Sequence, residues 1–349
     1  MNRIVEEDIN QILDTDFIDW EQFRDSSFLV TGATGLLGKW LIWTMVMANV
    51  QKNLNMQLYA LVRNEQKAQR YFADTNIHYI VQDITKPITL DKPIDYIIHC
   101  ANITDSKLMV ERPVETWKTT VLGTTYVLEF AKEKHIKSMV YLSSMEMYGV
   151  IDKPIVLEED QGYIDLLNVR SSYPEGKRAS ENLCASYKSE YGIPVVIARL
   201  AQTFGAGIDS TENRVFAQFA RSIIEKKDLV MHTYGEKRQS FCYISDAITG
   251  ILILLLKGKS PEAYNVVNPD TYTSIREMAE MLVSVYSESG CKVVFDVPEK
   301  NIFGYAPDSK LNLSAEKIQK LGWKPTLNLE QIFDRTIKYI LQNEYGENE

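Results

Sequence analysis

The sequence predicts an α/β fold: a doubly wound parallel sheet with helices on both faces, followed by a smaller mixed domain. Three observations predict it. Six short apolar runs alternate with helical patterns through the first 200 residues, the signature of strands joined by crossover helices. A glycine-rich turn, TGATGLLG at 31–38, links the first run directly to a helical pattern. Beyond residue 200 the alternation loosens, and glycine, proline and charge punctuate the chain, as in TFGAGIDSTEN and NPDTY.

The elements follow in order. Residues 1–26 precede the first strand and are expected to form a short helix packed on the outside of the sheet. The predicted strands are FLVT (28–31), QLYALV (57–62), IHYIV (77–81), IDYIIHC (94–100), SMVYLSS (138–144) and PVVIARL (194–200). Several are apolar throughout, as strands buried on both faces must be. Val114, Trp117, Val121 and Leu128 share one face of one helix, and Ala179, Leu183, Tyr187 and Tyr191 share a face of another. Further helical stretches are expected at 214–226, 244–257, 274–287 and 328–342. The predicted organisation is an extension at 1–26, a dinucleotide-binding domain at 27–203 and a substrate domain at 204–349, with some elements crossing between the last two.

Composition narrows the function classes. The net charge of −9 argues against general nucleic-acid binding, which needs a basic face. The longest strongly apolar stretches, such as Ile251 to Leu256, suit a core and are too short to cross a membrane. The start, MNRIVEEDIN, is polar and acidic, unlike a secretory signal. Cys100, Cys184, Cys242 and Cys291 are far apart and form no Cys-x-x-Cys pair. They are expected to be reduced thiols of a cytoplasmic protein, with no metal site.

The glycine turn carries the first functional signal. Gly32, Gly35 and Gly38 lie between a predicted strand and a predicted helix, the context that makes such a turn credible. The first glycine permits the tight turn, the second lets a pyrophosphate approach the backbone, and the third lets helix and strand pack closely. The following helix offers free N–H donors to the phosphates. At the end of the second strand, where an acid would read the ribose hydroxyls of NAD, stands Arg63. An arginine there can pair a 2′-phosphate, which tilts NAD(P) toward NADP.

Tyr173 and Lys177 carry the second signal. They are four apart at the start of a predicted helix and therefore share a face. Pro174 fits the first helical turn, where its missing N–H costs nothing. An ammonium near a phenol is expected to lower the phenol's pKa from ~10, so that the phenolate can take a proton while hydride leaves to a nicotinamide.

These motifs, with Asp83-Ile84, HCAN (99–102), LSSMEMYG (142–149), YPEGK (173–177), FCYISDA (241–247) and LGWKP (321–325), resemble the short-chain dehydrogenase/reductase superfamily. The resemblance runs from about residue 26 to residue 340 and is to the extended branch that modifies nucleotide sugars, most closely the UDP-glucuronate decarboxylases. It implies a Rossmann-type fold. It implies that Gly32, Thr34, Gly35, Leu36, Leu37, Gly38, Arg63, Asp83, Ile84, Ala101, Tyr173 and Lys177 contact the cofactor, with Asp83 on the adenine amino group. It assigns Ser144 the bond to the reacting oxygen, with Ser143 as runner-up, and gives Glu146 a part in the chemistry that follows C4 oxidation. RSSYPEGKR (170–178) matches the decarboxylases, and Arg170, Gln202, Arg214 and Arg238 are its expected substrate contacts alongside Ser144 and Glu146.

The expected substrate is a nucleotide-diphosphate sugar. A 4-epimerase, a 4-keto reductase or a 4,6-dehydratase on the same scaffold is an alternative, as is a non-catalytic dinucleotide sensor. Met145 stands where dehydratases carry an aspartate, which counts against dehydration. Three further departures from the family pattern are Thr120 and Gln202, each in place of asparagine, and Gln239 in place of an arginine that meets the diphosphate. The helices bearing Trp117 and Tyr187 resemble those that form dimer contacts in this family, so a homodimer is expected.

Overall fold

The apolar runs of the first 200 residues form one parallel sheet. A computed structural model describes residues 1–73, 75–298 and 309–346. Its strands are β1 Ser27–Thr31, β2 Gln57–Val62, β3 His78–Val81, β4 Tyr96–His99, β5 Ser138–Ser144, β6 Val195–Leu200, β7 Gln202–Phe204, β8 Leu229–Met231, β9 Arg238–Tyr243, β10 Ala263–Val266, β11 Asn268–Ser274, β12 Val293–Phe295 and β13 Lys310–Leu311. The main sheet has seven strands in the order β10-β6-β5-β4-β1-β2-β3, every pair parallel. The sheet begins at β1 and winds both ways, so the order reverses between β1 and β4. In open parallel sheets the ligand crevice lies at such a reversal.

The helices are α1 Arg3–Leu13, α2 Leu36–Lys52, α3 Glu65–Tyr71, α4 Ser106–Glu111, α5 Pro113–Trp117, α6 Gly123–Lys134, α7 Ser172–Tyr191, α8 Val215–Ile224, α9 Ile244–Lys257, α10 Ile275–Val285, α11 Glu316–Gln319 and α12 Leu329–Glu344. The period of two along each strand sorts the core into two layers. Phe28, Val30, Val140, Leu142 and Val196 face the α2 and α9 side; Leu29, Met139, Tyr141 and Val195 face the α6 and α7 side.

Four expectations need correction. The sheet holds a seventh strand, β10, which comes from beyond residue 203 and closes the edge beside β6. Its four residues, AYNV, are too short to give a pattern. The N-terminal extension does form a helix, but α1 lies against α2, α9 and α12 and is rooted in the core. Its Asp8 is fully buried, takes a hydrogen bond from Tyr243 Oη at 2.5 Å and pairs with Arg335 at 2.7 Å. The helix expected to run from Val114 through Leu128 is continuous, but a π-helical turn at Lys118–Leu122 between α5 and α6 shifts its face. Leu128 is core, whereas Val114 and Trp117 are 58% and 40% exposed. The fourth correction concerns Tyr173 and is given with the site.

The C-terminal half carries a small sheet in the order β11-β9-β13, with β7 also paired to β9, and a two-stranded pair, β8 with β12. Two motifs far apart in sequence meet here. Trp323 of LGWKP donates its indole N–H to the Asp246 carbonyl of FCYISDA at 3.0 Å, and the Asp246 carboxylate accepts from the backbone and hydroxyl of Thr326 at 3.0 and 2.8 Å.

Candidate active site

The three glycines have separable reasons. Gly32 sits at φ +63°, a conformation costly for other residues, and a Cβ there would come within 2.7 Å of Ala101 Cα in the loop after β4. Gly38 has an ordinary φ, but its Cβ would lie 2.4 Å from the Gly32 carbonyl oxygen, so it sets how closely α2 packs on the turn. Gly35 caps α2 with extended backbone, and its Cβ would meet only the Gly32 oxygen, at 3.3 Å. It is the glycine that protein packing least requires, and it opens on a cavity.

That cavity, about 440 Å³, lies along the carboxyl ends of the strands. It brings together Gly32, Thr34, Gly35, Leu36, Leu37, Gly38, Arg63, Asp83, Ile84, Ala101, Tyr173 and Lys177, as well as Ser144, Glu146, Gln202 and Arg214. Asp83 accepts from the backbone and hydroxyl of Thr85, both at 2.9 Å, which holds its carboxyl below the usual range. Two expected residues stand outside the lining. Arg170 lies behind Glu146, its Nη2 reaching both carboxylate oxygens at 3.0 and 2.8 Å. Arg238 pairs with Glu277 at the start of α10, so it does not face the cavity.

Tyr173 and Lys177 lie on the first turns of α7, both buried. The Lys177 ammonium donates to the Leu142 carbonyl at 2.5 Å and lies 5.6 Å from the centre of the Tyr173 ring. Burial brings Lys177 down to about 7, with the Glu181 carboxylate opposing. The phenol was expected to be lowered. Among the protein's own groups it is instead raised to about 12, because burial and the nearby Glu146 charge disfavour phenolate more than the Ser144 hydrogen bond, Arg170 and Arg214 favour it. The resting form of Tyr173 is the neutral phenol.

The two serines are distinguished by their partners. Ser143 Oγ donates to Glu181 at 2.5 Å. Glu181 is itself held by a buried bidentate pair with Arg199, at 2.7 Å for the closest contact, and Arg199 reaches Tyr148 Oη at 3.0 Å. Ser143 therefore belongs to a structural network beneath the site. Ser144 accepts a backbone N–H from Glu146, at 3.2 Å, and its hydroxyl turns to Tyr173 on the cavity side.

Sequence reasoning missed two sets of residues. Asn102, Thr119 and Lys67 line the cavity. Asp209 gathers Lys39 (3.0 Å), Lys67 (3.4 Å) and Tyr71 (2.8 Å), tying the segment after β7 to α2 and α3. The lysine directly after Gly38, on an otherwise apolar helix, was the available signal. Among the described residues no cluster of three His, Cys, Asp or Glu is disposed to hold a metal, and no helix is long and apolar enough to cross a membrane.

A glycine turn at a strand-order reversal, continuous with a cavity that ends on a Tyr–Lys pair, is the arrangement of a nicotinamide-dinucleotide-dependent enzyme. The chain belongs to the NAD dependent epimerase/dehydratase family, whose model matches residues 28–267. It is similar to UDP-glucuronic acid decarboxylase 3 of Arabidopsis thaliana, with 28% identity covering 87% of this chain and 85% of that one. In fold it is similar to an epimerase from Methanothermobacter thermautotrophicus, with TM-score 0.80 and 21% identity over 95% of this chain and 97% of that one. It also resembles in fold the UDP-glucuronic acid 4-epimerase of Bacillus cereus, solved in complex with NAD, with TM-score 0.74 and 22% identity over 92% and 98% of the two chains.

Proposed function

We propose that this protein oxidises a nucleotide-activated sugar at C4 and processes the resulting 4-keto sugar, in the manner of a UDP-glucuronate decarboxylase. The observation that carries the reading is Glu146. Its carboxylate faces the same cavity as Ser144 and Tyr173 and is held by both oxygens from behind. A nicotinamide bound in the cavity supplies the hydride acceptor, and later the donor. Tyr173 must first lose its phenol proton to solvent, which the positive charge of an oxidised nicotinamide would favour. Its Oη would then take the C4 hydroxyl proton as the C4 hydride departs, with Ser144 Oγ bonded to the same oxygen. Lys177, neutral to cationic near pH 7 and 5.6 Å from the Tyr173 ring centre, contributes its charge when protonated. If C5 of the 4-keto sugar bears a carboxylate, the sugar is a β-keto acid. The C5–carboxylate bond then breaks, its electron pair passes to the C4 carbonyl as an enolate, and carbon dioxide leaves. Reprotonation at C5 and return of hydride to C4 complete the cycle. Glu146 faces this half of the chemistry, and Arg170 holds it in orientation through both carboxylate oxygens.

Two finer assignments belong to the same proposal. The cofactor is NADP, because Arg63 lines the adenosine end of the cavity and Lys67 follows one turn of helix later. The protein is a homodimer through the exposed face carrying Val114 and Trp117, together with Tyr191 on α7. Monomeric sedimentation at micromolar concentration would overturn that assignment.

The test is incubation with a panel of UDP-, GDP-, CDP- and dTDP-linked sugars and uronates, read by mass spectrometry. Loss of the mass of carbon dioxide is the expected result. Loss of water would mean dehydration, and an isomer of unchanged mass would mean epimerisation. Glu146→Gln should retain C4 oxidation and accumulate 4-keto sugar with reduced cofactor. Turnover at the wild-type rate would make Glu146 a bystander and move the reading to 4-epimerase or reductase.

A further inference from the structure

Asn102 is the residue of this site that the chemistry above leaves unused. It lines the cavity in the loop after β4, and its two ends are in different situations. Its Oδ1 accepts the backbone N–H of Ile103 at 2.8 Å and lies 2.9 Å from Thr120 Oγ1. The Thr120 hydroxyl has one proton, shared between this oxygen and the Thr116 carbonyl at 2.7 Å. The Ile103 N–H, which only an oxygen can accept, fixes the amide with its oxygen toward Thr120. Its Nδ2 has no hydrogen-bond partner among the described residues, so two N–H donors remain on the cavity side.

Thr120 is itself held in place. Its carbonyl accepts the hydroxyls of Thr124 at 2.5 Å and Ser180 at 3.0 Å. Behind Thr124 lies buried His99, which burial holds neutral by bringing its pKa down to about 3. Thr124 spends its hydroxyl proton on the Thr120 carbonyl, so His99 Nε2 donates to Thr124 at 3.2 Å, which leaves Nδ1 to accept from Thr31 at 2.7 Å, while Thr31 takes the N–H of Ala101 at 3.2 Å. A directed chain of hydrogen bonds thus runs from the loop after β4, through His99, to the π-helical turn that positions Asn102.

The position of the amide names its ligand. On one side Ala101, the preceding residue, abuts Gly32 of the pyrophosphate turn. On the other, Thr120 packs against Gly176, which lies between Tyr173 and Lys177 on α7; a Cβ on Gly176 would be 3.2 Å from Thr120 Cβ. A dinucleotide with its pyrophosphate on the turn and its reactive ring at Tyr173 has one group to place between them, the ribose of the redox half. We propose that Asn102 binds that ribose, donating an Nδ2–H to a hydroxyl oxygen, and that Thr120 and Ile103 are its positioning partners. The proposal rests on the dinucleotide reading of the cavity.

The test is calorimetric titration with two fragments: ADP-ribose, which contains the second ribose, and ADP, which does not. Their 2′-phosphorylated forms are used if the wild-type protein prefers NADP. Asn102→Ala should weaken ADP-ribose and the whole dinucleotide about three- to tenfold, the effect of one neutral hydrogen bond, and leave ADP unchanged. Asn102→Ser, which keeps an oxygen beside Ile103 N–H and Thr120, gives the same comparison if the alanine variant folds poorly. Equal weakening of both fragments would mean that the loop had collapsed, and unchanged ADP-ribose binding with weakened nucleotide-sugar binding would place Asn102 on the substrate; either overturns the proposal. Failure of the wild-type protein to bind any nicotinamide dinucleotide would instead overturn the reading on which it rests.

Discussion

Replacing Gly38 and Gly35 separately by alanine should divide the glycine turn into a part that builds the fold and a part that receives the ligand. At Gly38 the new Cβ would lie 2.4 Å from the Gly32 oxygen, 2.8 Å from Ala33 Cα and 2.9 Å from the Gly32 carbonyl carbon. All three are backbone atoms, so no side chain can swing aside, and α2 must move off the turn by most of an ångström. Overpacking of this kind costs about 1–3 kcal/mol. For 349 residues the unfolding entropy is about 0.7 kcal/mol per kelvin, so Tm should fall by about 1.5–4 °C. The shift also displaces the first backbone N–H groups of α2, so dinucleotide affinity should fall with it. At Gly35 the only contact is 3.3 Å and φ is −76°. Gly35→Ala should therefore keep Tm within about 1 °C of wild type and lose at least about tenfold in dinucleotide affinity, because the methyl occupies the path of the pyrophosphate. Differential scanning fluorimetry and calorimetry read the two quantities independently. Wild-type affinity in Gly35→Ala would refute the placing of the pyrophosphate. An unchanged Tm in Gly38→Ala would refute the packing argument.

Tyr173→Phe should lower turnover by about 10²–10⁴-fold, the range for loss of a positioned proton acceptor, while dinucleotide affinity in calorimetry stays within a few-fold of wild type. Arg63→Ala should weaken NADP more than NAD, and equal effects on both would remove Arg63 as the phosphate reader. Asp246 gives a pH prediction. Burial raises its carboxyl to about 6 from an ordinary 3.8, so the folded state binds a proton that the unfolded state releases between those values. The contribution of this group to stability therefore grows as pH falls from above 6 toward 4. In Tm measured at pH 7.5 and pH 5, Asp246→Asn should show less gain, or more loss, on acidification than wild type, and identical pH dependences would refute the assignment.

The sheet was legible in the sequence because strands buried on both faces must be apolar throughout, and FLVT and SMVYLSS can be little else. The helix at Ile244–Lys257 matches its expected span because the apolar pattern fills it from end to end. β10 was not legible, because a four-residue edge strand takes its identity from the neighbour it pairs with. The cavity contacts of the glycine turn, Arg63, Asp83 and the Tyr–Lys pair could be read because each needs only local spacing. Arg238 was misplaced because a one-residue offset along β9 moves a side chain to the other face of the strand. Tyr173's protonation state depends on burial, which no motif encodes. Asn102 escaped notice because its meaning comes from Thr120, eighteen residues away across a turn whose π-helical geometry has no sequence signature.

The seventh strand has a consequence for how the chain is made. β6 is complete at Leu200, but its outer edge stays open until Ala263–Val266 arrives. At about 5–20 residues per second, synthesis leaves that edge unpaired for roughly 3–13 seconds. During that interval a nascent chain on one ribosome presents unpaired N–H and C=O groups along an apolar strand, the geometry that invites pairing with its neighbours on the same message. The nucleotide half cannot be released as a finished unit at residue 203. A ribosome stalled in the intervening 60 or so residues would hold a sheet with one side unsealed. Chains cut short between β6 and β10 should therefore be the ones that aggregate, and chains that reach Val266 should not.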